Sequence, residues 1–165
     1  MSRPDAEFWR IGVDTQEYVS TDLSGEGARR GGGRWNRAGQ PAVYAASSVA
    51  LACLETLVHL PASALPLNRY LVRLQVPAEL LDRARVLRAP DAPIGWDALP
   101  YGMVSIDYGD AWLASADSAL LLVPSVIVPE ELNLLLNPAH PDAALVTATK
   151  IRRWAYDPRI GRTSF

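Results

Sequence analysis

Residues 42–60 read "AVYAASSVALACLETLVHL". The first five form a short apolar run containing valine and tyrosine, the composition of a strand. Two serines follow, and Ser47 or Ser48 stands where a helix needs a cap. A dense apolar pattern then runs to Leu60, where Pro61 stops it. A strand feeding directly into a capped helix sets the class as α/β.

Working outward, "FWRIGV" (8–13) reads as a first strand, and a glycine- and arginine-rich loop spans 20–41. "YLVRLQV" (70–76) puts Tyr70, Val72, Leu74 and Val76 on one face, the period of a half-buried strand. "YGDAWLAS" (108–115) reads as a helix, and "ALLLVPSVIV" (119–128) as a buried strand pair broken at Pro124. "ALVTATKI" and "RRWAYD" read as two further strands. No regular βαβ beat links these elements, which predicts a mixed sheet with flanking helices rather than a doubly wound parallel sheet.

The bulk properties narrow the function. A chain of 165 residues predicts a single domain, 1–165. A net charge of −2 argues against direct binding of nucleic acid. The single Cys53 leaves no internal disulfide framework, so a reducing, cytoplasmic setting is expected. The longest apolar run is too short to span a bilayer, and "MSRPDAEFWR" carries no apolar signal core.

The loop holds "GEGARRGGGRWNRAG" (25–39). Three consecutive glycines are costly to order. The loop matches neither a dinucleotide-binding fingerprint nor a P-loop. It does set Arg29, Arg30, Arg34 and Arg37 against Glu26 alone. Arginine forks suit phosphate, and glycine lets backbone N–H groups approach an anion. The loop by itself reads equally as a phosphate site or as a solvated tight turn.

On the helix after the serines, apolar residues cover most of the circumference, which predicts a mostly buried element. Ser48, Glu55, Thr56 and His59, with Ala52 among them, make a narrow polar stripe. That stripe faces either water or a cleft, and Glu55 is its one carboxylate. His59 and His140 show no metal-ligand spacing, so no metal is expected. Ser125 lacks the G-x-S-x-G elbow of a hydrolase nucleophile and is a candidate for substrate positioning. Tyr44 by itself fits plain core, and the tryptophans read as core anchors.

Taken in order, "GGRWN", "VYAAS", "CLE", "GDAWLAS", "LLVPS" and "LLNPAHP" resemble RES-domain proteins, the toxins of RES–Xre toxin–antitoxin systems, over 8–159. The resemblance implies a fold similar to ADP-ribosyltransferases of the diphtheria-toxin type. It implies NAD+ as substrate, with the nicotinamide–ribose bond cleaved and ADP-ribose passed to water, phosphate or a protein. It maps the family's arginine, glutamate and serine onto Arg34, Glu55 and Ser125, and adds Tyr44 and Arg10 around the nucleotide. Asn137 enters less firmly, as structural support.

Under that resemblance Arg34 and Arg10 would grip the pyrophosphate, Tyr44 would stack on nicotinamide, Glu55 would stabilise the oxocarbenium-like ribose, and Ser125 would hold the ribose or nicotinamide side. It also implies an Xre-type antitoxin with a helix-turn-helix that occludes the site. The functional expectation is an enzyme that depletes NAD+ by hydrolysis or phosphorolysis. The alternatives are an ADP-ribosyltransferase with a protein target and a non-catalytic antitoxin-binding module.

Overall fold

The structure is a computed structural model that describes residues 3–61 and 65–160. Seven strands form one sheet in the order β4-β5-β6-β2-β1-β3-β7. They are β1 (Ala6–Val13), β2 (Val43–Ala46), β3 (Arg69–Val76), β4 (Arg85–Val86), β5 (Leu120–Pro124), β6 (Leu132–Leu136) and β7 (Thr147–Trp154). Only β4 and β5 run parallel. All the other neighbours are antiparallel, so the sheet is mixed and the class is α/β, as the sequence predicts.

Strand register sorts the side chains onto two faces. On one, Phe8, Val43, Ala45, Val72, Leu74, Val76, Leu120, Leu134 and Leu136 form a continuous core with Leu80 of the helix α3 (Ala78–Asp82). The opposite face carries Trp9, Ile11, Tyr44, Ala46, Leu121, Val123, Asn133 and Leu135. Two helices cover it: α2 (Val49–Leu57), through Leu51 and Ala52, and α4 (Met103–Ser115), through Trp112 and Leu113. β1 and β2 share a single register pair, Trp9 with Ala46, and α2 packs across both strands at this seam.

Ser48 is the cap: its Oγ accepts the Leu51 N–H at 3.1 Å. The helix is not buried all round, however. Ala50, Leu54 and Val58 lie exposed along its outer side. Composition alone cannot separate an apolar residue facing the core from one facing solvent. The helix also ends at Leu57, before the residues 58–60 that the apolar pattern included.

Other boundaries move for local reasons. The glycine-rich loop contains a short helix, α1 (Glu26–Gly31). α4 begins at Met103, ahead of the stretch predicted to be helical. Only the first half of "ALLLVPSVIV" is a strand, because 125–131 turns back to start β6. That turn closes with Ser125 N–H donating to Glu131 O. The two strands expected near the end are one, β7, kept continuous by a register shift opposite Leu71 and Val72.

Candidate active site

The short segment 33–36 presents Arg34, and it is clamped from several sides. Gly33 and Asn36 pair as a β-bridge. The Asn36 side chain is fully buried and donates to Ala28 O and Gln40 O, each at 2.9 Å. Trp35 is buried, stacks with Trp96 at 6.3 Å and meets Tyr108 edge-on at 5.9 Å. Gly109 lets α4 pass directly over this backbone, since a Cβ there would lie 1.7 Å from Trp35 O.

Two of the three glycines meet demands of a tight turn, while Gly31 simply ends α1. Gly32 has φ 69°, which side chains other than glycine's rarely adopt. A Cβ on Gly33 would come within 2.8 Å of the Tyr44 hydroxyl. That hydroxyl donates to Asn36 Oδ1 at 2.6 Å and accepts the Trp35 N–H at 3.1 Å. Burial pushes the Tyr44 phenol well above its ordinary pKa, so it stays protonated and can serve as this donor. Tyr44 therefore fastens β2 to the Arg34–Trp35 peptide and to the Asn36 side chain.

The four loop arginines do not form a ring around an anion site. Arg29 and Arg30 bind Glu26, and Arg30 also meets Glu17. Arg37 binds Asp107 and Asp110, each at 2.8 Å. Among the described residues, only Arg34 of the four has no carboxylate partner. Its Nη1 donates to Trp96 O and Ala98 O at 2.9 Å, and its guanidinium lies 5.7 Å from the Tyr101 ring centre. Nε and Nη2 have no acceptor among the described residues. Burial lowers the Arg34 pKa, and Glu55 is the foremost of the neighbouring charges that oppose the shift.

Glu55 lies mid-helix on α2. Its Oε1 accepts from Ser125 Oγ and from Asn133 Nδ2, both at 2.7 Å, while Oε2 has no partner among the described residues. Ser125 is fully buried. Its oxygen also accepts the N–H groups of Ile127 and Val128 at 3.1 Å, which shapes the turn after β5. Ser125 thus holds Glu55 and its own turn rather than standing open to a ligand.

Arg10 is not brought to these residues. Its register partner is Val72, which places it on the sheet face opposite Tyr44 and Asn133. Its guanidinium donates to the carbonyls of Ser20 and Asp22 and so anchors the loop after β1. Asn137 ties the end of β6 to α4 by donating to Leu113 O at 3.0 Å. His140 accepts the Asp142 N–H through Nδ1, and His59 is exposed. Among the described residues, no cluster of His, Cys, Asp or Glu is arranged to hold a metal. No helix among them is long and apolar enough to cross a membrane.

Two asparagines at the centre of this arrangement escaped the sequence reading. Asn36 directly follows "GGGRW", and its position after a glycine run was the available signal. Asn133 interrupts "LNLLL", where a lone polar residue in an apolar strand marks a buried partner.

An α/β domain that presents an uncommitted arginine fork and a tethered carboxylate on one sheet face matches a known family. The RES domain family model covers residues 7–158, and the chain belongs to that family. It is 60% identical over 155 residues to a protein of Sphingobium sp. named Prs ADP-ribosylating toxin, covering 94% of this chain and 96% of that protein. It is 38% identical over 146 residues to a Yersinia enterocolitica protein named Toxin Res, covering 88% and 94%. A Pseudomonas putida protein of the same name is 39% identical over 138 residues, covering 82% and 87%.

Proposed function

We propose that this protein is an NAD+-dependent ADP-ribosylating toxin whose acceptor is a protein. The observation that carries the reading is the asymmetry of Glu55: Oε1 is held by Ser125 and Asn133, and Oε2 has no partner among the described residues, within electrostatic reach of Arg34. Arg34 takes the pyrophosphate through Nε and Nη2, since Nη1 is engaged by two carbonyls. The Tyr44 ring lines the nicotinamide side. Glu55 Oε2 faces the ribose.

Cleavage breaks the bond between ribose C1′ and the pyridinium nitrogen, and its electron pair leaves with neutral nicotinamide. The oxocarbenium-like sugar that develops is stabilised by the Glu55 carboxylate. The acceptor then forms a bond to C1′ and passes its proton to Oε2. A carboxylate fixed in place before the reaction stabilises this charge without reorganising.

The sequence alone does not separate water or phosphate from a protein as acceptor, although hydrolysis or phosphorolysis is its first reading. The name of the Sphingobium relative moves a protein acceptor ahead, with the protein called Prs as the first candidate. Hydrolysis or phosphorolysis is the second reading and uses the same first step. A binding module without catalysis leaves the tethered Glu55 without a purpose. The toxin acts in the cytoplasm, beside its NAD+, and is restrained by an Xre-type antitoxin covering the cleft.

The test incubates the pure protein with NAD+ labelled in the adenylate half, in buffer, in phosphate, and with purified Prs. Label on Prs supports the transferase. Free nicotinamide with unlabelled Prs supports the second reading. NAD+ left intact in every arm rejects both.

A further inference from the structure

We infer that Asn133 is a positioning residue for Glu55: its amide and the Ser125 hydroxyl together fix Oε1, so that Oε2 is the oxygen offered to the ribose. The inference rests on the reading of Glu55 as the carboxylate of an NAD+-cleaving site. Asn133 sits on β6 opposite Ala46 of β2 and Val123 of β5, on the sheet face that α2 covers. Its Nδ2 donates to Glu55 Oε1 at 2.7 Å. The amide cannot be turned over, because Oδ1 would then face a carboxylate oxygen with no proton between them.

A cost accompanies this contact. Asn133 Oδ1 is buried and has no donor among the described residues. Leaving a buried acceptor unpaired is unfavourable. The strand does not need a polar residue here for packing, since its neighbours Leu132, Leu134 and Leu135 are all leucine. The contact to Glu55 is what the asparagine supplies. With two donors on one oxygen, the carboxylate can neither rotate nor exchange its oxygens without breaking both bonds.

Three groups face Glu55 from the elements around it: the Arg34 guanidinium from the loop before β2, the Ser125 hydroxyl from the turn after β5, and the Asn133 amide from β6. On α2 itself, Thr56 is engaged with Tyr156 and Cys53 O, and Cys53 lies two residues away; His59 lies past the helix end and is exposed.

The experiment compares wild type, Asn133→Ala, Asn133→Asp and the double variant Asn133→Asp with Glu55→Gln. Asn133→Ala should lower kcat about tenfold at every pH while KM for NAD+ changes little. Asn133→Asp puts a second carboxyl against Glu55, and two carboxylates that close share one proton. At acid pH the introduced carboxyl is protonated and donates as the amide does, so kcat should approach wild type. It should fall about tenfold or more as the pH rises and that proton is lost.

The melting temperature gives a readout independent of activity. The shared proton raises the folded-state pKa of the pair above its unfolded value. Its stability is therefore present below about pH 4 and is lost as the pH rises through the raised value. Relative to wild type, Asn133→Asp should lose Tm with rising pH, and the double variant should not. An unchanged kcat in Asn133→Ala, or an Asn133→Asp whose kcat and Tm keep a constant ratio and offset to wild type across pH, overturns the inference. If wild type itself leaves NAD+ intact, the functional reading falls, and the melting series still decides whether Asn133 holds Glu55.

Discussion

Ser125 Oγ donates to Glu55 Oε1 at 2.7 Å, joining the turn after β5 to the middle of α2. The two residues lie on separate elements, and the contact works in both directions. The turn fixes the rotamer of Glu55, and the carboxylate gives the fully buried hydroxyl its acceptor. The same oxygen accepts two backbone N–H groups, so its removal reaches beyond Glu55.

Ser125→Ala should therefore lower both stability and turnover. Two partly buried N–H groups lose their acceptor and Glu55 loses one donor, a cost of about 1–3 kcal/mol for groups left unpaired. Chemical denaturation and kcat measured on the same preparation check this. A variant with wild-type stability and wild-type kcat would show that Ser125 holds neither the turn nor the carboxylate.

Tyr44→Phe keeps the ring and removes the hydroxyl that joins Asn36 Oδ1 to the Trp35 N–H. The fold should lose about 1–3 kcal/mol. KM for NAD+ should rise as the segment carrying Arg34 loosens. If only kcat falls, with stability and KM intact, the hydroxyl acts on the substrate directly.

Arg34→Lys should weaken NAD+ binding about tenfold or more. A lysine ammonium cannot hold the Trp96 and Ala98 carbonyls and present a bidentate fork to a pyrophosphate as well. Arg30→Lys should stay near wild type, because Arg30 is engaged by Glu26 and Glu17. Titration of NAD+ by calorimetry compares the two. The opposite ranking would mean that the phosphates are gripped elsewhere on the loop.

The same pairing pattern bears on inhibition. A carboxylate-bearing segment of the proposed antitoxin would find one guanidinium in this loop without a carboxylate partner among the described residues, that of Arg34, rather than four. NAD+ and the antitoxin should compete, and Arg34→Lys should weaken antitoxin binding more than Arg30→Lys. A saturated toxin–antitoxin complex that binds NAD+ with unchanged affinity would contradict occlusion.

Much of this arrangement is legible along the chain. The strand, bounded at Val43–Ala46, the serine cap and the place of Glu55 on the helix follow from local propensity and periodicity, which act over a few residues, whereas Ala52 of the expected polar stripe is buried and His59 lies past the helix end. The pairings that complete the site are not local. Glu26, Glu17, Asp107 and Asp110 neutralise three arginines, and only two of those acids lie near the loop in sequence. Arg10 looks like any other arginine until the register with Val72 turns it to the far face. Asn36 and Asn133 carry no periodic signal, because each matters through contacts made by the fold: Asn36 with Ala28, Gln40 and Tyr44, and Asn133 with Glu55. The merging of the last two predicted strands depends on a bulge, which lets a strand continue across a break in its alternation.

On the proposed function, Glu55, held at Oε1 and without a partner at Oε2 among the described residues, drives cleavage of NAD+. Release of nicotinamide from NAD+ by wild type and by Glu55→Gln, measured side by side with acceptor protein present, tests it most directly. Glutamine keeps the shape and an acceptor for Ser125 but not the charge. Glu55→Gln should be equally folded, still bind NAD+ and release nicotinamide on the order of a hundredfold more slowly, or slower still. Equal rates from the two proteins at equal stability would contradict it.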